Sequence, residues 1–317
     1  MIMKLEPKNK NEITDENYYS QEMGKKYLSV HALMTFMKDP ALFYLKGNGY
    51  LKNTSSPSAN AGKLFHAFVN DAKDFEKEVR NLGKEPFLLG RKKISEDEVV
   101  DMVFNEPESL KPKADYDSVW SFILKEWDNR HDWWEEKPWF KELILTGEIG
   151  DAPFKGRLDV LKIDGDKAYI YDYKTLGLKD RYGFWYEDNE RFDKTFIHEY
   201  NYDLQMTAYA ELVKQNFPQV KQVYVTFGCL IKKGKHEFTE YPSSFIETET
   251  VNVNDMHTNR FNGDSPLTVL MKYALPAYHA LHLSADEFIE KYGEDSLFSE
   301  MVFNRRQQLP FEAFKLK

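Results

Sequence analysis

Residues 156–175 read GRLDVLKIDGDKAYIYDYKT, two runs of β-forming residues joined by an Asp-Gly-Asp turn. If the two-residue turn is Gly165-Asp166, Asp164 opposes Lys167 and Asp159 falls directly opposite Asp172. If it is Asp164-Gly165, Asp159 opposes Ile170 and lies diagonal to Asp172. Side chains alternate across a strand, so either register puts both aspartates on one face, and Lys174 joins them two residues further on. The rest of that face is Leu161, Ile163, Ala168 and Ile170. Two acids and an amine among apolar residues are costly to bury unless something compensates them. A hard divalent cation does so, because Mg2+ prefers carboxylate oxygens plus water and leaves positions open for a phosphate and a nucleophilic water. Lys174 could orient or help deprotonate that water. The competing reading is an exposed edge hairpin with an ordinary Asp172–Lys174 ion pair. Tyr169, Ile170 and Tyr171, next to the acid, favour a central strand.

Outward from the hairpin, LILTGEIG precedes it as another strand, so residues 143–175 form consecutive antiparallel strands. An amphipathic helix is expected at 202–217 and a strand at 222–231. Upstream, 29–45 carries helical spacing broken at Asp39-Pro40, 53–62 is a turn-rich linker, and 62–75 is a helix bearing His66. Residues 76–116 look like a charged surface excursion with one short helix near 96–104. The tryptophans Trp120, Trp127, Trp133, Trp134 and Trp139 read as helix anchors on the core, with a base-stacking platform as the alternative. The expected fold class is α/β: a mixed, restriction-endonuclease-like sheet with a central antiparallel meander flanked by helices. The expected organisation is a flexible arm at 1–22 and one domain at 23–317, with a helical insertion at about 76–140.

The motifs Gly156-Arg157-Leu158-Asp159 and Ile170-Tyr171-Asp172-Tyr173-Lys174-Thr175 resemble the paired motifs of the PD-(D/E)XK nuclease superfamily, with Leu158 where its name has proline. The resemblance is to the RecB/RecE-like branch, through Gly62-x-x-x-His66 upstream, an acid before the first motif strand, and Gln205-x-x-x-Tyr209 downstream. It implies that His66, Asp159, Asp172 and the main-chain carbonyl of Tyr173 ligate metal and that Lys174 is the catalytic lysine. Gln205 and Tyr209, one helical turn apart, would line the site, although a helix that packs Tyr209 and exposes Gln205 fits the spacing too. For the auxiliary acid Glu142 is preferred, since pairing around Gly150-Asp151 sets it opposite Asp159, whereas Glu148 falls near the turn and faces solvent. The resemblance further implies a metal-dependent exodeoxyribonuclease acting on double-stranded DNA ends, 5′ to 3′, for phage-type recombination. Mg2+ would be the metal, with Mn2+ substituting. An endonuclease or single-strand nuclease of the same core, or a non-catalytic DNA-binding scaffold, remains the alternative. A single-strand annealing protein and a homo-oligomer are the partners such nucleases imply. Aromatic and basic residues of the loop at 176–200 either guide DNA or pack on one another.

Composition narrows the classes. With 42% hydrophobic residues in 317 the chain can bury a large core. The net charge of -9 argues against a protein that holds nucleic acid mainly by a positive surface, but an acidic metal centre contributes negative charge itself. One cysteine, Cys229, read as a buried thiol, excludes disulfides and a four-cysteine iron-sulfur cluster. No helicase-type phosphate loop occurs, and no apolar run suits a signal or a membrane span, so a cytoplasmic location is expected.

Overall fold

The computed structural model describes residues 6–8, 12–51, 56–84, 94–111, 113–135, 139–177, 196–232, 244–256 and 261–292. Strands β1 (Phe140–Ile149), β2 (Ala152–Asp164) and β3 (Lys167–Leu176) form the antiparallel meander. The hairpin pairs Asp164 with Lys167, the register of a Gly165-Asp166 turn. Strand β4 (Gln222–Ile231) then runs parallel to β3, and β5 (Ser244–Glu247) and β6 (Val251–Asn252) pair with it antiparallel. The six strands make one mixed sheet with β3 at its centre, so the edge-hairpin alternative does not apply.

Helices cover both faces. On one, α2 (Val30–Lys38), α3 (Pro40–Gly47), α10 (Tyr202–Asn216), α11 (Pro266–His282) and α12 (Ala285–Tyr292) pack on Leu161, Ala168, Ile170 and Val225. On the other, α4 (Pro57–Asn70), α5 (Ala72–Gly83), α6 (Glu96–Asn105), α7 (Ala114–Glu126) and α8 (Arg130–Trp134) build a second core that meets the sheet at Val160, Tyr173 and Leu230. Two short helices complete the described elements, α1 (Gln21–Lys26) and α9 (Phe196–Glu199). Asp39 both ends α2 and caps α3, its carboxylate accepting from the Leu42 amide at 2.9 Å, with Pro40 at the first helical position. No helix among the described residues is long and apolar enough to cross a membrane.

Four readings change. The 62–75 helix is two: α4 begins at Pro57, inside the expected linker, and stops at Asn70, where Asp71 caps α5. The described residues of 76–116 are no surface excursion, because Val79 and Leu82 of α5, Val99 and Val103 of α6 and Tyr116 are buried. Dense charge on the outer side of α5 masked that stripe. The described part of the 1–22 arm is packed as well: Ile13 and Tyr18 are buried with Met23 against Ile144. Their spacing has no regular period, and their partners lie far along the chain. Finally, α10 is buried on most of its sides rather than amphipathic, being held between the sheet and α11. The tryptophans act as anchors: Trp120 is buried and the indole of Trp134 donates to the Phe68 carbonyl at 2.7 Å.

Candidate active site

The site forms where β1, β2 and β3 pass between α4 and α10. From α4, His66 brings Nδ1 to 3.6 Å from Oδ2 of Asp159 on β2. The same Oδ2 accepts from the Tyr173 amide of β3 at 2.7 Å, which ties the first motif to the second. Glu142 on β1 completes the group: one ligand atom from each of His66, Glu142 and Asp159 lies within 4.8 Å of the others. The β1–β2 ladder runs Lys141 to Val160 and Leu143 to Leu158, which leaves Glu142 level with Asp159. There Glu142 takes a φ of 48°, a left-handed backbone that costs a residue with a Cβ of order 1 kcal/mol or more. Its side chain is held by Asn70, which donates to Oε1 at 2.7 Å, and by the guanidinium of Arg157 on Oε2. Glu148, by contrast, is exposed beside the β1–β2 turn.

Asp172 and Lys174 make an adjoining group on the side of α10. Lys174 Nζ lies 2.5 Å from Oδ2 of Asp172 and 3.3 Å from Oε1 of Gln205, and 4.4 Å from the ring centre of Tyr202. The Gln205 amide donates to the Tyr209 hydroxyl at 2.9 Å, so both residues of the downstream motif face the same place. The alternative of an exposed Gln205 is thereby set aside. Asp172 does not share the His66–Glu142–Asp159 group in this arrangement, because Lys174 occupies its carboxylate.

The charges expose what the site lacks. Burial and the neighbouring Asp159 push the Glu142 carboxyl above its ordinary range, although Arg157 opposes them. Burial likewise raises Asp172 despite Lys174. For Asp159 burial is outweighed by His66 and Lys174, and its carboxyl sits below the usual value. His66 is raised, since Asp159 outweighs the burial that would lower it, and Lys174 is raised by Asp172 against burial. The raised Glu142 carboxyl is short of positive charge, and a divalent cation at Glu142, Asp159 and the His66 imidazole would supply it. The donor set of two oxygens and one nitrogen fits Mg2+ or Mn2+, the imidazole favouring the latter.

Sequence reasoning overlooked Asn70, Arg157 as a clamp, and Tyr202. Asn70 stands four residues after His66 and Tyr202 three before Gln205, so helical spacing carried the signal for both. The loop at 176–200 lies outside the described residues from 178 to 195.

A family model described as a PDDEXK-like domain of unknown function (DUF3799) matches residues 29–227. The chain belongs to this family. The PD-(D/E)XK domain thus runs from the start of α2 into β4 and contains His66, Glu142, Asp159, Asp172, Lys174, Gln205 and Tyr209. No curated protein matches the chain. A crystal structure from Eubacterium rectale, described as a "Putative exonuclease", is similar over 90% of this chain and 88% of that one, with a TM-score of 0.52 and 18% identity. At that identity the likeness is one of fold.

Proposed function

We propose that this PD-(D/E)XK protein is a metal-dependent deoxyribonuclease that degrades double-stranded DNA from its ends. One observation carries the reading: a trio of His66, Glu142 and Asp159 with ligand atoms within 4.8 Å of one another adjoins a buried lysine, with the Tyr173 amide bridging the two motifs. His66, Glu142 and Asp159 would hold the cation, and the likeness of the motifs adds Asp172 and the Tyr173 carbonyl as further donors. A bound Mg2+ or Mn2+ would supply Lewis acidity at the phosphate and a more acidic water. Lys174, kept charged, offsets negative charge that grows on the phosphoryl oxygens. Gln205 holds Lys174 from one side and is itself fixed by Tyr209, so the ammonium is aimed before substrate arrives. Arg157 and Asn70 keep Glu142 in its strained position.

The choice of duplex ends, 5′ to 3′ polarity and a role in phage-type recombination follow from the likeness of the motifs to RecB/RecE-like nucleases, as does a single-strand annealing partner. The name of the Eubacterium rectale neighbour agrees with exonuclease action. The test is digestion of end-labelled linear duplex and covalently closed circles with Mg2+, Mn2+ or chelator. Metal-dependent shortening of the linear form alone, abolished by Asp159→Asn, is the expected result. Cleavage of closed circles would make the protein an endonuclease, and no cleavage in any metal would leave a DNA-binding scaffold.

A further inference from the structure

The segment before α1 ends on two tyrosines with opposite surroundings. Tyr18 is buried, whereas Tyr19 is 81% exposed, the most exposed large hydrophobic residue among those described. The Tyr19 ring meets that of Tyr18 edge to face at 4.9 Å, so its base is supported while its outer face stays open. Its position is not that of a stray surface residue. Asp15, four residues before it, lies 3.4 Å from the guanidinium of Arg157, the residue that clamps Glu142, and the charges of Arg157, Glu142 and Asp159 reach the Tyr19 hydroxyl. An open aromatic face therefore borders the acid trio.

The fold goes to some expense to keep it there. Lys155 is 5% exposed, and its ammonium donates to the Tyr18 carbonyl at 2.5 Å while lying 4.6 Å from the Tyr18 ring centre. Arg157, two residues along the same strand, reaches Asp15 at 3.4 Å. Within the segment, the Tyr18 amide donates to the Thr14 carbonyl at 2.9 Å and the Thr14 amide to the Asn17 side chain at 2.7 Å. Two cations from β2 and a closed turn thus fix residues 14–19 against the site. A buried lysine is costly in itself, and here its ammonium holds the residue next to Tyr19.

From this we infer that Tyr19 is the stacking platform for a nucleobase of the substrate, next to the phosphate that is cut. The inference rests on the nuclease reading above and adds how the substrate is gripped. Stacking suits a site that cuts any sequence, because every base has a π-face, and it adds grip to a chain whose net charge is -9.

The test compares wild type with Tyr19→Ala, Tyr19→Phe and Tyr19→Trp on linear duplex with Mg2+ or Mn2+. Chelator-bound samples carry 2-aminopurine at the terminal nucleotide, whose fluorescence reports stacking without cleavage. Tyr19→Ala is expected to raise KM about tenfold with kcat within about twofold, and to abolish the fluorescence change. Tyr19→Phe and Tyr19→Trp should keep both. Unchanged KM and fluorescence in Tyr19→Ala would overturn the inference while leaving the nuclease intact, as would equal damage in Tyr19→Phe, which would assign the effect to the hydroxyl and Arg157. Wild-type protein that cuts nothing would instead sink the nuclease reading, and the fluorescence arm would still decide whether Tyr19 stacks. Thermal unfolding of each variant separates loss of the platform from loss of fold.

Discussion

Lys174 Nζ stands 2.5 Å from Oδ2 of Asp172, a carboxylate whose side chain is only 2% exposed. Each is the other's counter-charge, and the pair is therefore structural as well as chemical. Removing the lysine leaves a buried acid that must take up a proton or stay unpaired. Lys174→Met is expected to destabilise the fold by about 3 kcal/mol and to abolish cleavage. Asp172→Asn combined with Lys174→Met should recover stability without activity, because the uncompensated charge is gone. Urea unfolding of the single and double variants measures this; equal stability of Lys174→Met and wild type would show the pair to be incidental.

The trio of His66, Glu142 and Asp159 predicts metal-linked stability. A cation bound only by the folded chain stabilises by about 2.7 kcal/mol at a hundred times its dissociation constant. Thermal unfolding with millimolar Mn2+ should therefore shift Tm upward by several degrees relative to chelator. His66→Ala and Glu142→Gln are expected to erase that increment whatever they do to the metal-free Tm. An increment that survives both substitutions would place the cation elsewhere.

The position of Glu142 and the pairing of Asp172 with Lys174 were legible because local rules determine them. Of the two registers the sequence allowed, the structure takes the Gly165-Asp166 turn, and the period of a strand sets Asp172 and Lys174 together; Asp159, expected on their face, reaches His66 of α4 and the Tyr173 amide instead. The same reasoning placed Glu142 level with Asp159 across the β1–β2 turn. What spacing could not foretell is the division of labour, in which Asp172 is taken by Lys174 while Glu142 joins His66. That outcome depends on side-chain reach and on Arg157 and Asn70, partners contributed by different elements. The packing of Ile13 and Tyr18 was hidden for a related reason. Their burial depends on Lys155 and Ile144, more than a hundred residues away, and no local pattern marks it.

Lys155 gives a pH signature. Burial alone pushes its ammonium down to about 8, below the ordinary 10.5. The folded chain therefore releases this proton first, and between those values the unfolded chain binds more protons. Stability from this group rises with pH across the window, the burial penalty being fully present below about 8. In Lys155→Met that rise should vanish. Urea unfolding of both proteins from about pH 7.5 to 9.5 compares the slopes, the tyrosines being common to both; parallel curves would mean that Lys155 keeps an ordinary pKa.

Gly156 tests whether close approach of β2 and α10 sets the site. A Cβ there would fall 2.8 Å from the Tyr209 ring and 3.0 Å from Leu212. The ring has little freedom to yield, since its hydroxyl accepts from Gln205, which in turn accepts from Lys174. Gly156→Ala should therefore cost about 1–3 kcal/mol of stability and also lower kcat, because moving Tyr209 displaces the ammonium. Gly165→Ala provides the contrast. At φ 60° it is strained by about 1 kcal/mol, but nothing lies within 4 Å of the added Cβ, so activity at saturating substrate should hold. If Gly156→Ala loses stability while keeping full kcat, the Tyr209–Gln205–Lys174 chain does not position the lysine, and its alignment must come from Asp172 and Tyr202.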